Sequence, residues 1–155
     1  MLIREAGIIF NGIPVIFASY HRASKDSTDL ICSSGLMSGI LTFAECLMQP
    51  IEYVESSKYT VIFKKGKMLD FYKRNQEILA FIVIDKDIRL EKYLDRTIKP
   101  LLEKLLTKFI SEYKGCKITE VAKFEPFRKT IDKIFGTGTQ TLEEKVVSLL
   151  QKSNT

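Results

Sequence analysis

The chain has no tryptophan, a single histidine, three cysteines and four prolines in 155 residues. Each scarcity excludes something. With only His21, beside the basic Arg22, there is little material for general-base chemistry near neutral pH. A Cys–His nucleophile would need His21 to meet Cys32, Cys46 or Cys116, and the first two lie on a segment that reads as a buried helix. The cysteines are odd in number and form no CxxC pair, which argues against a disulfide framework or a zinc ligand set. They are expected to be reduced thiols serving as small apolar fillers.

Long hydrophobic runs are also missing. One of the longer uncharged stretches, Leu30 to Ala44, is broken by Ser, Gly and Thr and ends at Glu45, short of the ~20 apolar residues of a spanning helix. Met1 to Glu5 lacks a basic region leading into an apolar run, so a cytoplasmic location is expected. Phosphate-loop signatures fail too. Gly66-Lys67 is followed by Met68, not Ser or Thr, and Gly136-Thr137-Gly138-Thr139 follows a helical pattern, not a strand. Asp85 and Asp87 could hold a magnesium ion, but carboxylates at a strand-to-helix junction more commonly cap the helix. No catalytic residue, metal or cofactor is expected from these patterns.

What is present suits one globular unit, with 45% hydrophobic and 28% charged residues. The net charge of +5 is uneven: residues 1–85 hold nine Lys/Arg against nine Asp/Glu, and residues 86–155 hold fifteen against ten. The surplus therefore lies in the second half. It could serve nucleic acid or an anionic membrane, although such a surplus of lysine is usually a solvated helix face. Phe63-Lys64-Lys65 and Phe71-Tyr72-Lys73-Arg74 interleave aromatic and basic residues as nucleic-acid binders do, but aromatics on a half-buried strand are ordinary core. Nucleic acid is not favoured.

Along the chain, Leu2 to Phe10, Asn11-Gly12 and Ile13 to Tyr20 make a strong hairpin signal. Pro14 cannot donate to a ladder, so it belongs at the start of its strand or on an outer edge, and the second strand is expected at a sheet edge. After a polar loop, a helix is predicted from Thr28 or Asp29 to Met48, mostly buried by Leu30, Ile31, Leu36, Met37, Ile40, Leu41, Ala44, Cys46, Leu47 and Met48. Ser33, Ser34, Gly35, Ser38 and Gly39 would let it lie close on its neighbour. Residues 51–72 read as two or three strands with a turn at Lys64-Lys65-Gly66-Lys67, followed by a second turn at Asn75-Gln76-Glu77. Ile78 to Ile84 is apolar at every position, as only a central strand covered on both faces requires. Ile88 to Tyr113 carries a clear helical period, kinked or restarted at Pro100, and Glu125 to Phe135 carries another. Residues 136–155 are a flexible link and a short helix opening on the capping box Thr141-Leu142-Glu143-Glu144.

This order of elements resembles the longin and roadblock family of small α/β domains over residues 1–135. The likeness is carried by Gly7 to Phe17 as the first hairpin, Ser38 to Ala44 in the first helix, Ile82-Val83-Ile84-Asp85 as the last strand, and Leu106 to Tyr113 in the next helix. It implies an α+β fold with a five-stranded antiparallel sheet in the order 2-1-5-4-3, one helix on one face and two on the other. The candidate strand around Phe71 and the helix after residue 140 depart from that pattern. The resemblance also implies a binding function without catalysis: subunits of vesicle tethers and coats, or partners of a small GTPase, as homo- or heterodimers with possible peripheral membrane association. An uncovered second strand and a helix richer in apolar residues than one sheet face needs mark Val15, Phe17, Tyr20, Met37, Leu41 and Met48 as candidate partner contacts. The competing expectation is that the C-terminal helix folds back over this surface.

Overall fold

The computed structural model describes residues 3–20, 39, 42, 46 and 51–135. Its organising element is β5 (Asn75–Asp85), in which Ile78 to Ile84 are buried on both faces. A strand apolar on both sides is stable only with a neighbour at each edge and cover above and below. It pairs antiparallel with β1 (Ile3–Phe10) on one side and with β4 (Tyr59–Leu69) on the other. Adding β2 (Ile13–Ser19) beside β1 and the short β3 (Tyr53–Glu55) beside β4 gives a five-stranded antiparallel sheet in the order β2-β1-β5-β4-β3. This is the α+β architecture and strand order expected above.

The β1–β2 hairpin turns at Asn11 (φ 47) and Gly12 (φ 78), the pair of positive φ angles that a two-residue type I′ connection demands. Pro14 lies in the terminal strand, the position in a sheet that tolerates proline. A bulge beside it takes Ile8 opposite Ile16 but Ile9 opposite Pro14. The extra residue is Val15, so Val15 and Ile16 are both buried in the main core although they are consecutive. Gly7 is required for the close approach of these strands, since a Cβ there would lie 2.6 Å from the Ile16 carbonyl oxygen.

One sheet face, carrying Ala6, Ile8, Phe10, Ile62, Ala80 and Ile82, packs against the helices. The chain enters them through α1 (Leu90–Tyr93), a π turn (Leu94–Ile98) and α2 (Lys99–Tyr113). Pro100 explains the π turn. It cannot donate to the carbonyl four residues back and its ring crowds that group, so the preceding turn widens and Lys99 N–H reaches Leu94 O. Pro100 then occupies the first turn of α2, where no donor is missed. Leu102, Leu105, Leu106 and Phe109 face the sheet, as the period predicted; Gly66 of β4 admits this helix, for a Cβ there would sit 2.8 Å from Leu106 Cδ2. A 3₁₀ segment (Val121–Phe127) leads into α3 (Arg128–Phe135), and Phe124 and Phe127 stack around Phe109 and Tyr113. The opposite sheet face buries Ile9, Phe63, Leu79, Phe81 and Val83.

Two expected turns are corrected. Lys64-Lys65-Gly66-Lys67 and Asn75-Gln76-Glu77 lie inside β4 and β5, which pair without interruption from Tyr59↔Asp85 to Leu69↔Asn75. The lysines are tolerated mid-strand because they meet carboxylates: Lys64 Nζ is 3.5 Å from Glu103 and Lys65 Nζ 2.7 Å from Glu77. The turn falls instead at residues 70–74, which removes the supernumerary strand around Phe71. Ile88, placed at the start of the helical stripe, is fully exposed. Of the helix expected from residue 28 to 48, Gly39, Thr42 and Cys46 are helical and exposed. Cys46 is therefore no core filler, and a Cβ on Gly39 would meet no described residue within 4 Å. The rest of that helix, and the link and helix of residues 136–155, lie outside the described residues.

Two outcomes follow from this packing. Leu105 is fully buried between α2 and the sheet, so Leu105→Ala costs about 2–5 kcal/mol by denaturant unfolding. Thr60 Oγ1 is buried with no hydrogen-bond partner among the described residues. Thr60→Val keeps the shape and removes the orphan hydroxyl, so its midpoint should match or exceed wild type, by up to about 1–2 kcal/mol; a loss of stability would show that the hydroxyl has a partner.

Candidate functional site

Two surfaces present groups that the core does not consume. The first is the edge of β2, which no described strand pairs. Ile13, at its start, is 54% exposed, and Phe17 is half-buried against the second sheet face. Val15 is buried in the main core by the bulge and offers nothing to a partner, which corrects its place among the candidate contacts. Tyr20 is committed internally: its hydroxyl donates to Asp132 Oδ1 at 2.7 Å, tying the end of β2 to α3. Burial, reinforced by that carboxylate, pushes the Tyr20 phenol well above its ordinary range. The structure thus leaves Ile13 and Phe17 on this edge, and Met37, Leu41 and Met48 lie outside the described residues.

The second surface is the β4–β5 turn. Lys73 N–H donates to Asp70 O at 3.0 Å, closing a turn with Phe71 and Tyr72 at its centre, and Lys73 follows at φ 58. This is a three-residue connection whose last position ordinarily takes glycine or asparagine. The Asp70 side chain holds it. Its carboxylate, only 5% exposed, accepts the Arg74 N–H at 2.9 Å, the Arg74 guanidinium at 3.0 Å and the Gln76 amide at 3.1 Å. Burial opposes ionisation, but those donors together outweigh it and hold the Asp70 carboxyl below its ordinary value. The loop after α2 is fastened alongside by Gly115 N–H donating to Leu69 O at 2.9 Å. Between the turn and loop residues 116–119 lies an open groove of about 380 Å³.

Phe71 and Tyr72 remain 52% and 67% exposed, with their rings edge-to-face at 5.3 Å. Cations sit over both. Lys117 Nζ is 4.6 Å from the Phe71 ring centre and Arg74 Cζ is 5.1 Å from that of Tyr72. Reading this stretch as strand hid the aromatic pair; Asp70 followed by Lys73-Arg74-Asn75 is the polar signal that could have disclosed the turn.

The remaining candidates are dispersed. Arg4 donates to both Asp85 oxygens, at 2.7 and 3.3 Å. Asp87 accepts the Arg89 N–H at 2.9 Å and its guanidinium at 2.8 and 3.0 Å, forming a turn just ahead of α1. Each carboxylate thus has its own arginine. Arg89, by hydrogen bond and charge, holds the Asp87 carboxyl far below its usual range. Cys46 and Cys116 are free thiols, and His21 and Cys32 lie outside the described residues. Among the described residues no helix is long and apolar enough to cross a membrane. No protein-family model matches the chain, and no curated protein matches it.

The depressed Asp70 pKa has a pH consequence of definite sign. Its contribution to stability is present above the ordinary carboxylate range, about pH 4, and is lost as pH falls through the lower folded-state value. Asp70→Asn should therefore be less stable than wild type at pH 7, with the gap closing on acidification. Denaturant melts across pH 2–7 test this range, roughly the span of carboxylate titration, and parallel profiles would overturn it.

Proposed function

We propose that the chain is a protein-interaction module of the longin and roadblock type, acting without catalysis in a small-GTPase regulatory or vesicle-trafficking system of the cytoplasm. The observation that carries this reading is the sheet order β2-β1-β5-β4-β3, in which the N-terminal hairpin ends in a terminal strand. A terminal strand presents unpaired N–H and C=O groups that a second chain can extend, and exposed Ile13 with half-buried Phe17 supplies apolar contact along it. The partner under this reading is a small GTPase or a second longin or roadblock subunit, and the assembly is a homo- or heterodimer.

Part of the basic charge in the second half is engaged by carboxylates. Lys99 bridges Glu52 and Asp95, Lys123 meets Glu120, Arg128 meets Glu125 and Arg89 meets Asp87. These are four of the fifteen cations of that half. The test is binding of the full chain to purified small GTPases loaded with GDP or a non-hydrolysable GTP analogue, with light scattering for self-association. Expected is one-to-one binding to a GTPase, or a dimer, weakened by Ile13→Asp at unchanged melting temperature. A monomer that binds no GTPase in either nucleotide state would overturn the reading, as would binding indifferent to Ile13→Asp.

A further inference from the structure

The Phe71–Tyr72 turn is an exposed aromatic pair set among cations. Residues 70–74 and 114–119 hold four cations, Lys73, Arg74, Lys114 and Lys117, against the single carboxylate of Asp70, which is buried and engaged by Arg74 and Gln76. We propose that this turn docks on the headgroup region of an anionic lipid bilayer, inserting Phe71 and Tyr72 at the interface while Lys73, Lys114 and Lys117 meet lipid phosphates and carboxylates.

Several observations favour a bilayer over other anionic partners. The rings occupy the centre of a hairpin turn, more than half exposed, on the rim of the groove beside residues 116–119. That turn is held by Asp70 and tied to the neighbouring loop through Gly115, so little conformational entropy is lost in presenting it. Moreover, cations already sit near both rings, at 4.6 Å over Phe71 and 5.1 Å over Tyr72. A nucleobase platform needs open faces on which to stack, whereas a bilayer interface accepts aromatic rings flanked by Lys and Arg. The charge is the right one, because anionic leaflets draw basic segments to within a Debye length. Finally, Lys73 holds φ 58, where glycine would relieve the backbone, so the turn carries a cation at a conformational cost.

The inference does not depend on the GTPase-module reading, and it has its own readout. The full chain is sedimented with vesicles of phosphatidylcholine alone or of equal parts phosphatidylcholine and phosphatidylserine. Expected is binding to the phosphatidylserine vesicles that weakens with added salt. Phe71→Ala with Tyr72→Ala should reduce it by about tenfold or more, and Lys73→Glu with Lys117→Glu should do likewise, at unchanged melting temperature. Because the chain has no tryptophan, Tyr72→Trp introduces a single reporter, whose emission should shift to the blue and be quenched by brominated lipid. Absence of binding overturns the proposal, as does binding indifferent to these substitutions. Tip-dependent binding to a single-stranded oligonucleotide, with no blue shift on vesicles, also overturns it and assigns the tip to nucleic acid.

Discussion

The sheet is registered against β5, because the run from Ile78 to Ile84 cannot leave either side facing water without exposing apolar area worth about 25 cal/mol per Å². Satisfying it requires a strand at each edge and cover on each face. β1 and β4 supply the edges, both antiparallel, which relegates β2 and β3 to the ends of the sheet. The helical face follows from the same run. Ile78, Ala80, Ile82 and Ile84 share one surface, and the stripe from Leu90 to Phe109 is what the chain has available to cover it.

Polar side chains then set the margins of this apolar layer. Arg4–Asp85 spans β1 and the end of β5, Tyr20–Asp132 joins β2 to α3, and Asp70 organises the β4–β5 turn. The Arg4–Asp85 pair, partly open to solvent, adds little stability, so its value is positional. Together these contacts decide where strands stop. At one end of the sheet they form a chain: Asn11 donates to Gln76 Oε1 at 2.7 Å, and Gln76 donates onward to Asp70 Oδ2 at 3.1 Å. The Asn11-Gly12 turn and the aromatic tip are thereby fixed at the same end, near exposed Ile13. The two proposed contact surfaces thus share a margin of the molecule.

The elements most legible in the sequence were those specified by a dense local pattern. Asn11-Gly12 announced its hairpin because both positions need positive φ, and β5 announced its centrality because it is apolar at every position. The stripe of α2 was readable for the same reason, since a helix repeats its demand every turn. The candidate site was much less legible. Lys64-Lys65-Gly66-Lys67 has the composition of a turn, and only its partners, Glu103, Glu77 and the approaching Leu106, make it strand.

By itself, then, the amino-acid order determined the β1–β2 hairpin, the helical stripe of α2, the central place of β5 and the terminal place of β2, because each rests on backbone geometry or on apolar residues recurring at short range. Tertiary structure decided what depends on contacts distant in sequence. It buried Val15 through a bulge, committed Tyr20 to Asp132 across 112 residues, and gave Asp85 the Arg4 side chain from β1. It also converted Phe71 and Tyr72 from presumed strand residues into an exposed tip, because the full-length pairing of β4 with β5 leaves only residues 70–74 to make the turn. Local patterns carry no information on which distant group will approach a side chain, and that approach distinguishes a core residue from a surface one.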